Sequence, residues 1–188
     1  MAHASLWGQF TKLRLWEQTQ YEKIVYLDSD ILVLGDLSVL FHMTTAPLAA
    51  VPGKVLLLLT PIDYASDWDS MGKPSRELNG GMLVLRPNAS LVPVMLEAAR
   101  AMHPGITLEQ SFLSRYFDWQ VLSPAFNSPA NMYLRAPSTF MGTRVVHYTH
   151  AKPWQPDDDR FQVWFRDVHE LWWRAFDDMQ RGYTFLPE

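Results

Sequence analysis

Lys23-Ile24-Val25-Tyr26-Leu27-Asp28-Ser29-Asp30 sets a short apolar run directly before two carboxylates. The run does not alternate, so it reads as a strand buried on both faces rather than one with a wet side. On an extended segment residues i and i+2 project to the same face, which lets Asp28 and Asp30 converge with Ser29 between them. In an open α/β sheet ligands bind beyond the carboxyl ends of the strands, and these acids stand at such an end. Two close carboxylates repel unless a cation compensates, and hard oxygen ligands suit Mg²⁺ or Mn²⁺ bridging phosphates. The same three residues would also serve as a plain turn or helix cap with two solvated acids.

Working outward, Ser5 to Gln20 has helical spacing, with Leu6, Phe10, Leu13 and Trp16 at three- and four-residue steps. After Asp30 comes a second apolar piece, Ile31 to Leu34, then a turn at Gly35-Asp36 and a short helix over Leu37 to Phe41 capped by Asp36. Residues 42–77 are the least regular, and a strand and a long functional loop both fit them. Asn79-Gly80-Gly81 reads as a turn opening a buried strand over Met82 to Leu85. A helix follows from Val92 to Met102 with Ser90 at its cap. Thr107 and Gln110 have capping-box spacing for a helix from Leu108 to Phe117. Trp119 to Leu122 and Arg144 to Tyr148 read as strands, separated by a proline-bearing loop over Phe126 to Phe140. The chain closes on an amphipathic helix whose stripe is Phe161, Trp164, Val168, Leu171, Trp172, Ala175, Phe176 and Met179. Strands alternating with helices predict an α/β sandwich, a single domain over residues 1–188.

Composition narrows the class. With 188 residues, 48% of them hydrophobic, the chain can bury a sizeable core, which excludes disorder. It has no cysteine, so no disulfide scaffold, and this suits a reducing, cytoplasmic compartment. Sixteen basic residues against twenty acidic ones argue against a nucleic-acid partner. The longest apolar run, Val55 to Leu59, is far short of the ~20 residues of a membrane span, and Met1 to Trp7 lacks the pattern of a secretory signal.

Three further groups carry chemistry. His147, in Val145-Val146-His147-Tyr148, can give an imidazole nitrogen to a metal such as Mn²⁺, or be a hydrogen-bonded core residue. Lys152 can set a point charge on a phosphate oxygen, or lie solvated. Gly80 and Gly81 allow close backbone approach, and the amide of Asn79 can donate to and accept from sugar hydroxyls; the plain alternative is a turn. Glu109 and Gln110 either contact a sugar or complete the capping box.

Taken in order, Phe10-Thr-Lys-Leu-Arg-Leu-Trp16, Tyr21-Glu-Lys-Ile-Val-Tyr-Leu-Asp-Ser-Asp30, Leu78-Asn-Gly-Gly-Met-Leu-Val-Leu-Arg-Pro87, Glu109-Gln-Ser-Phe-Leu113, Phe126-Asn127 and Val145-Val-His-Tyr148 with Lys152-Pro-Trp154 resemble the family 8 glycosyltransferases, the retaining group of glycogenin and galactinol synthase. The resemblance spans residues 5–175. It implies a GT-A (Rossmann-like) fold and transfer of a hexosyl unit from a UDP-sugar to an acceptor hydroxyl of a saccharide, polyol or protein tyrosine. It implies Asp28, Asp30 and His147 as ligands of Mn²⁺ (or Mg²⁺), Lys12 and Asn79 as donor contacts, and Lys152 at the diphosphate. Glu109 stands where the family has Asp, one before the matching Gln110. Tyr133 would be the tyrosine for self-glycosylation, and a homodimer is compatible.

Family members carry a nucleotide-binding strand and helix ahead of the segment matching Phe10, so the chain is expected to lack much of the uridine-binding half. A Golgi location would then remain open through a preceding segment, and one edge or face of the Asp28 strand should be exposed. Two other readings compete: a non-catalytic remnant, and a haloacid-dehalogenase-type phosphatase with Asp28 as nucleophile and Asp157-Asp158 as its later acids. Against the latter, Leu32 stands where a small residue is wanted, and the later acids follow Pro156 rather than an apolar strand.

Overall fold

In a computed structural model of the protein, residues 10–53, 77–101, 109–131, 142–149, 152–155 and 159–183 are described, the side chains of 159–164 and 183 excepted. Leu6, residues 55–59, Thr107, Leu108, Tyr133, Asp157 and Asp158 lie outside them, as do the side chains of Phe161 and Trp164. The chain runs through a 3₁₀-helix (Phe10–Glu17), β1 (Ile24–Leu27), β2 (Ile31–Val33), α1 (Val39–Met43), β3 (Leu48–Pro52), β4 (Leu78–Leu85), α2 (Leu91–Ala101), α3 (Glu109–Tyr116), β5 (Gln120–Val121), a 3₁₀ turn (Pro124–Phe126), β6 (Ser128–Pro129), β7 (Val145–His147) and α4 (Asp159–Tyr183).

The strands form two sheets, β1-β4-β3-β5 and β2-β7-β6. The first is mixed: β4 is antiparallel to β1 and β3, while β3 and β5 are parallel. Side chains of β3 and β4 alternate between two cores. Leu48, Ala50, Leu83 and Leu85 face Phe10, Leu13 and Trp16 of the 3₁₀-helix, Val92 and Met95 of α2, and Phe112 and Leu113 of α3. Ala49, Val51, Met82 and Val84 face Leu40, Leu122 and Phe126. A third core joins the smaller sheet to α4 through Val146, Tyr148, Phe165 and Val168. The α/β sandwich holds.

Several local expectations change. The first helix is a 3₁₀-helix, and its buried residues Phe10, Leu13 and Trp16 recur at a strict step of three, the repeat of that helix. β1 does have both faces covered, with Ile24 and Tyr26 toward the first core and Val25 and Leu27 toward the second. Yet all four of its residues are only half-buried, because β1 is the outermost strand of that sheet among the described residues. This is the exposure expected of the Asp28 strand. Asn79, Gly80 and Gly81 belong to β4 itself rather than to a turn before it.

Helix α1 begins later than expected, with Ser38 at its N-cap. The Asp36 carboxylate accepts the N–H and hydroxyl of Ser38, forming a turn two residues ahead of the helix instead of a cap. Asn88 plays the same part before α2 by accepting both bonds from Ser90. On α4 the stripe includes Phe165, which the spacing passed over. Met179 is 47% exposed, because the packing onto the smaller sheet ends with Leu171 and Trp172.

Trp16 is fully buried and stacks on Phe117 with ring centroids 5.5 Å apart. Trp16→Ala is expected to cost about 3–5 kcal/mol in urea unfolding, the range for deleting a large aromatic from a core.

Candidate functional site

The two sheets meet at Asp28-Ser29-Asp30, the turn between β1 and β2. The segment is not extended, so the convergence of the two acids comes from how each end is tied. Asp28 donates its N–H to the Gly81 carbonyl at 2.8 Å, continuing the β1/β4 register. The Asp30 carbonyl accepts the N–H of Tyr148 at 2.9 Å, continuing the β2/β7 register that sets Ile31 opposite His147. As a result one ligand atom each of Asp28, Asp30 and His147 lies within 4.8 Å of the other two. That spacing lets the three groups share one cation, and two carboxylates with one imidazole suit Mn²⁺ better than Mg²⁺, whose ligands are oxygens.

Each acid already has a cationic neighbour. The Lys12 ammonium is 3.0 Å from Asp28 Oδ1 and donates to the Gly80 carbonyl at 3.0 Å. Lys152 donates to Asp30 and to the Tyr148 carbonyl. Burial alone would push the Asp30 carboxyl up, but Lys152 and His147 hold it below the usual carboxylate value. His147 Nε2 is 3.3 Å from Asp30 Oδ1, and burial moves the imidazole down from its ordinary value against the pull of Asp30 and Asp28. A neutral imidazole is the form that can give a lone pair.

Glycines make this packing sterically allowed. A Cβ on Gly81 would sit 2.1 Å from His147 Cε1, and one on Gly80 would sit 2.8 Å from Glu109 Oε1. Adjacent glycines thus admit two side chains of the same protein. Gln110 accepts the Gly80 N–H at 3.3 Å, so its side chain serves β4. Glu109 is half-buried, and its Oε1, a buried atom, has no hydrogen-bond partner among the described residues, the Lys12 ammonium lying 3.6 Å away.

Nine of the ten predicted residues therefore meet: Lys12, Asp28, Asp30, Asn79, Gly80, Glu109, Gln110, His147 and Lys152. Ser29 is exposed at the tip of the turn and joins the group only through its neighbours. Two participants carry no signal in spacing alone. The Tyr26 hydroxyl donates to Asp28 Oδ1 at 2.6 Å, with Lys12 5.2 Å from its ring centroid. Burial, and then the Asp28 bond, keep that hydroxyl well above the usual phenol value. Asn127, 1% exposed, lies 2.9 Å from His147 Nδ1 and 3.0 Å from Asn79 Oδ1.

Among solved structures the fold is that of GT-A glycosyltransferases. The chain superposes on the WbbM bifunctional glycosyltransferase with a TM-score of 0.62 at 16% identity, covering 78% of this chain and 32% of that one. On the galactosyltransferase LgtC, solved with donor and acceptor sugar analogs, the TM-score is 0.55 at 22% identity, covering 84% and 66%. Residues 6–158 match glycosyl transferase family 8, and the chain belongs to that family. Similar sequences include galactinol synthase 2 of Arabidopsis thaliana, 29% identical over 93% of this chain and 59% of the relative. Galactinol synthase 5 of the same plant is 31% identical, covering 95% and 61%. The chain thus spans about 60% of the length of these relatives. With the family match, the phosphatase alternative is set aside. Among the described residues no helix is long and apolar enough to cross a membrane.

Burial is the main cause of a raised Glu109 carboxyl, opposed by Lys12 and helped by Asp28. The folded chain thus binds this proton more tightly than the unfolded one. The stability it contributes is complete below the ordinary carboxyl value and is lost as pH rises through the folded value. Glu109→Gln is expected to raise the melting temperature near pH 7 and to leave it almost unchanged near pH 4, as read by thermal unfolding.

Proposed function

We propose that the protein is a retaining hexosyltransferase that moves a hexosyl unit from a UDP-sugar to an acceptor hydroxyl and needs Mn²⁺ (or Mg²⁺). The observation that carries this is the meeting of Asp28, Asp30 and His147, flanked by two lysines, at the junction of two sheets in a family 8 chain. Asp28, Asp30 and His147 would hold the cation, which supplies charge neutralisation at the departing diphosphate. With the two acids so neutralised, the ammonium groups of Lys12 and Lys152 are left for phosphate oxygens, where fixed positive charge stabilises a leaving group. Asn79, Glu109 and Gln110 orient the sugar.

The relatives are galactinol synthases, and the structural neighbour LgtC is a galactosyltransferase. Both names support a galactosyl or related hexosyl unit, with a polyol or saccharide hydroxyl as acceptor. Self-transfer to Tyr133 concerns a residue outside the described ones. A second reading is a family member that binds the nucleotide without turnover.

Calorimetry with UDP and Mn²⁺, followed by UDP-hexose hydrolysis, separates these readings. The transferase is expected to bind UDP only with the metal present and to release UDP from the donor. Asp30→Ala or a chelator should cut both by about 100-fold or more, the loss expected on removing a metal ligand. Binding without hydrolysis would leave the second reading. Hydrolysis indifferent to chelator and to Asp30→Ala would overturn the metal assignment.

A further inference from the structure

A line of hydrogen bonds connects the backbone of β4 to His147, and its polarity can be read from one end. The Gly81 N–H can only donate, so the Asn79 atom 2.8 Å from it is the carbonyl Oδ1. That oxygen bears no hydrogen, so the Asn127 atom 3.0 Å away is the amide Nδ2. The other end of the Asn127 side chain is then Oδ1, an acceptor only, and it lies 2.9 Å from His147 Nδ1. For that contact to be a hydrogen bond, Nδ1 must carry a hydrogen. Nε2 is left with the lone pair, and it is the nitrogen that faces Asp30 at 3.3 Å.

We propose that Asn127 is a positioning residue: it locks His147 in the Nδ1–H form and so presents Nε2 to the divalent cation shared with Asp28 and Asp30. The site is built for this. Asn127 is 1% exposed and His147 5%, so water does not compete for the bond, and the tautomer is set by the partner with a fixed polarity. The reference point is a main-chain N–H, which no side-chain rotation can reverse. Gly81 supplies both that N–H and the space for the imidazole ring. The same chain fills both acceptor positions of Asn79 Oδ1, so Asn79 has only its Nδ2 hydrogens to offer a sugar hydroxyl.

This inference rests on the metal-binding part of the proposed function, and its test separates the two. In metal-free protein labelled with ¹⁵N-histidine at about pH 8, where a free imidazole is neutral, long-range ¹H–¹⁵N correlation reports the tautomer of each of the six histidines. The His147 signals are assigned by their loss in His147→Gln. The expected result is hydrogen on Nδ1 and none on Nε2. Asn127→Leu should shift His147 toward the Nε2–H form, and weaken Mn²⁺ binding, followed by electron paramagnetic resonance, by about 10–100-fold. Asn127→Asp, which keeps an acceptor at Nδ1, should retain the tautomer. Hydrogen on Nε2 in the unmodified protein, or a folded Asn127→Leu with an unchanged tautomer, overturns the proposal. If Asn127→Leu does not fold, the unmodified protein and Asn127→Asp decide it, and an Nε2–H form in either overturns it. An Nδ1–H form in a protein that binds no Mn²⁺ would uphold the lock and reject the metal site.

Discussion

Two carboxylates held a few ångströms apart on one short turn are the constraint from which the rest of the site follows. Asp28 and Asp30 cannot separate, because one is tied by its backbone to β4 and the other to the end of β7. Their mutual repulsion must be met by positive charge, and in this chain Lys12 and Lys152 supply it, one lysine to each acid. These two lysines stand far apart in the sequence, on either side of both sheets' strands. The acid pair therefore draws together elements that share no sheet: the amino-terminal 3₁₀-helix on one side and the segment after β7 on the other.

The polar shell around the acids is dense and strongly directional. Lys12 reaches Asp28 and the Gly80 carbonyl, with Glu109 close behind. Tyr26 and Lys12 share Asp28, while His147 and Lys152 share Asp30. Buried polar groups are costly unless satisfied, and in this shell nearly every polar atom has its partner. The exception, Glu109 Oε1, stands beside the same glycine backbone that Lys12 touches.

Much of this was legible beforehand. The strand before Asp28, the apolar run after Gly81, the helices following Ser90 and Glu109 and the long closing helix all come from periodicity and punctuation, which are local properties. The 3₁₀ character of Phe10–Glu17 was less accessible, because apolar steps of three also occur on α-helices and only packing distinguishes them. The Asn79-Gly80-Gly81 segment misled in another way. Adjacent glycines commonly mark a turn, whereas here they keep a strand extended while an imidazole and a carboxylate press against it. Asn127 and Tyr26 had no spacing signal, since what gives them a role is a partner far away in sequence.

Residue order alone determined the α/β class, the presence of an acid pair at a strand end and the candidate side chains for a metal and a phosphate. Those facts depend on periodicity and on functional groups, both carried by short stretches of chain. Tertiary structure decided that β1 is the outermost described strand of its sheet, that the acid pair bridges two sheets, and that His147 lies beside Asp30 with Asn127 behind it. Each of these is a matter of register between strands distant in sequence. Register is set by the packing of whole faces, and no local stretch contains it.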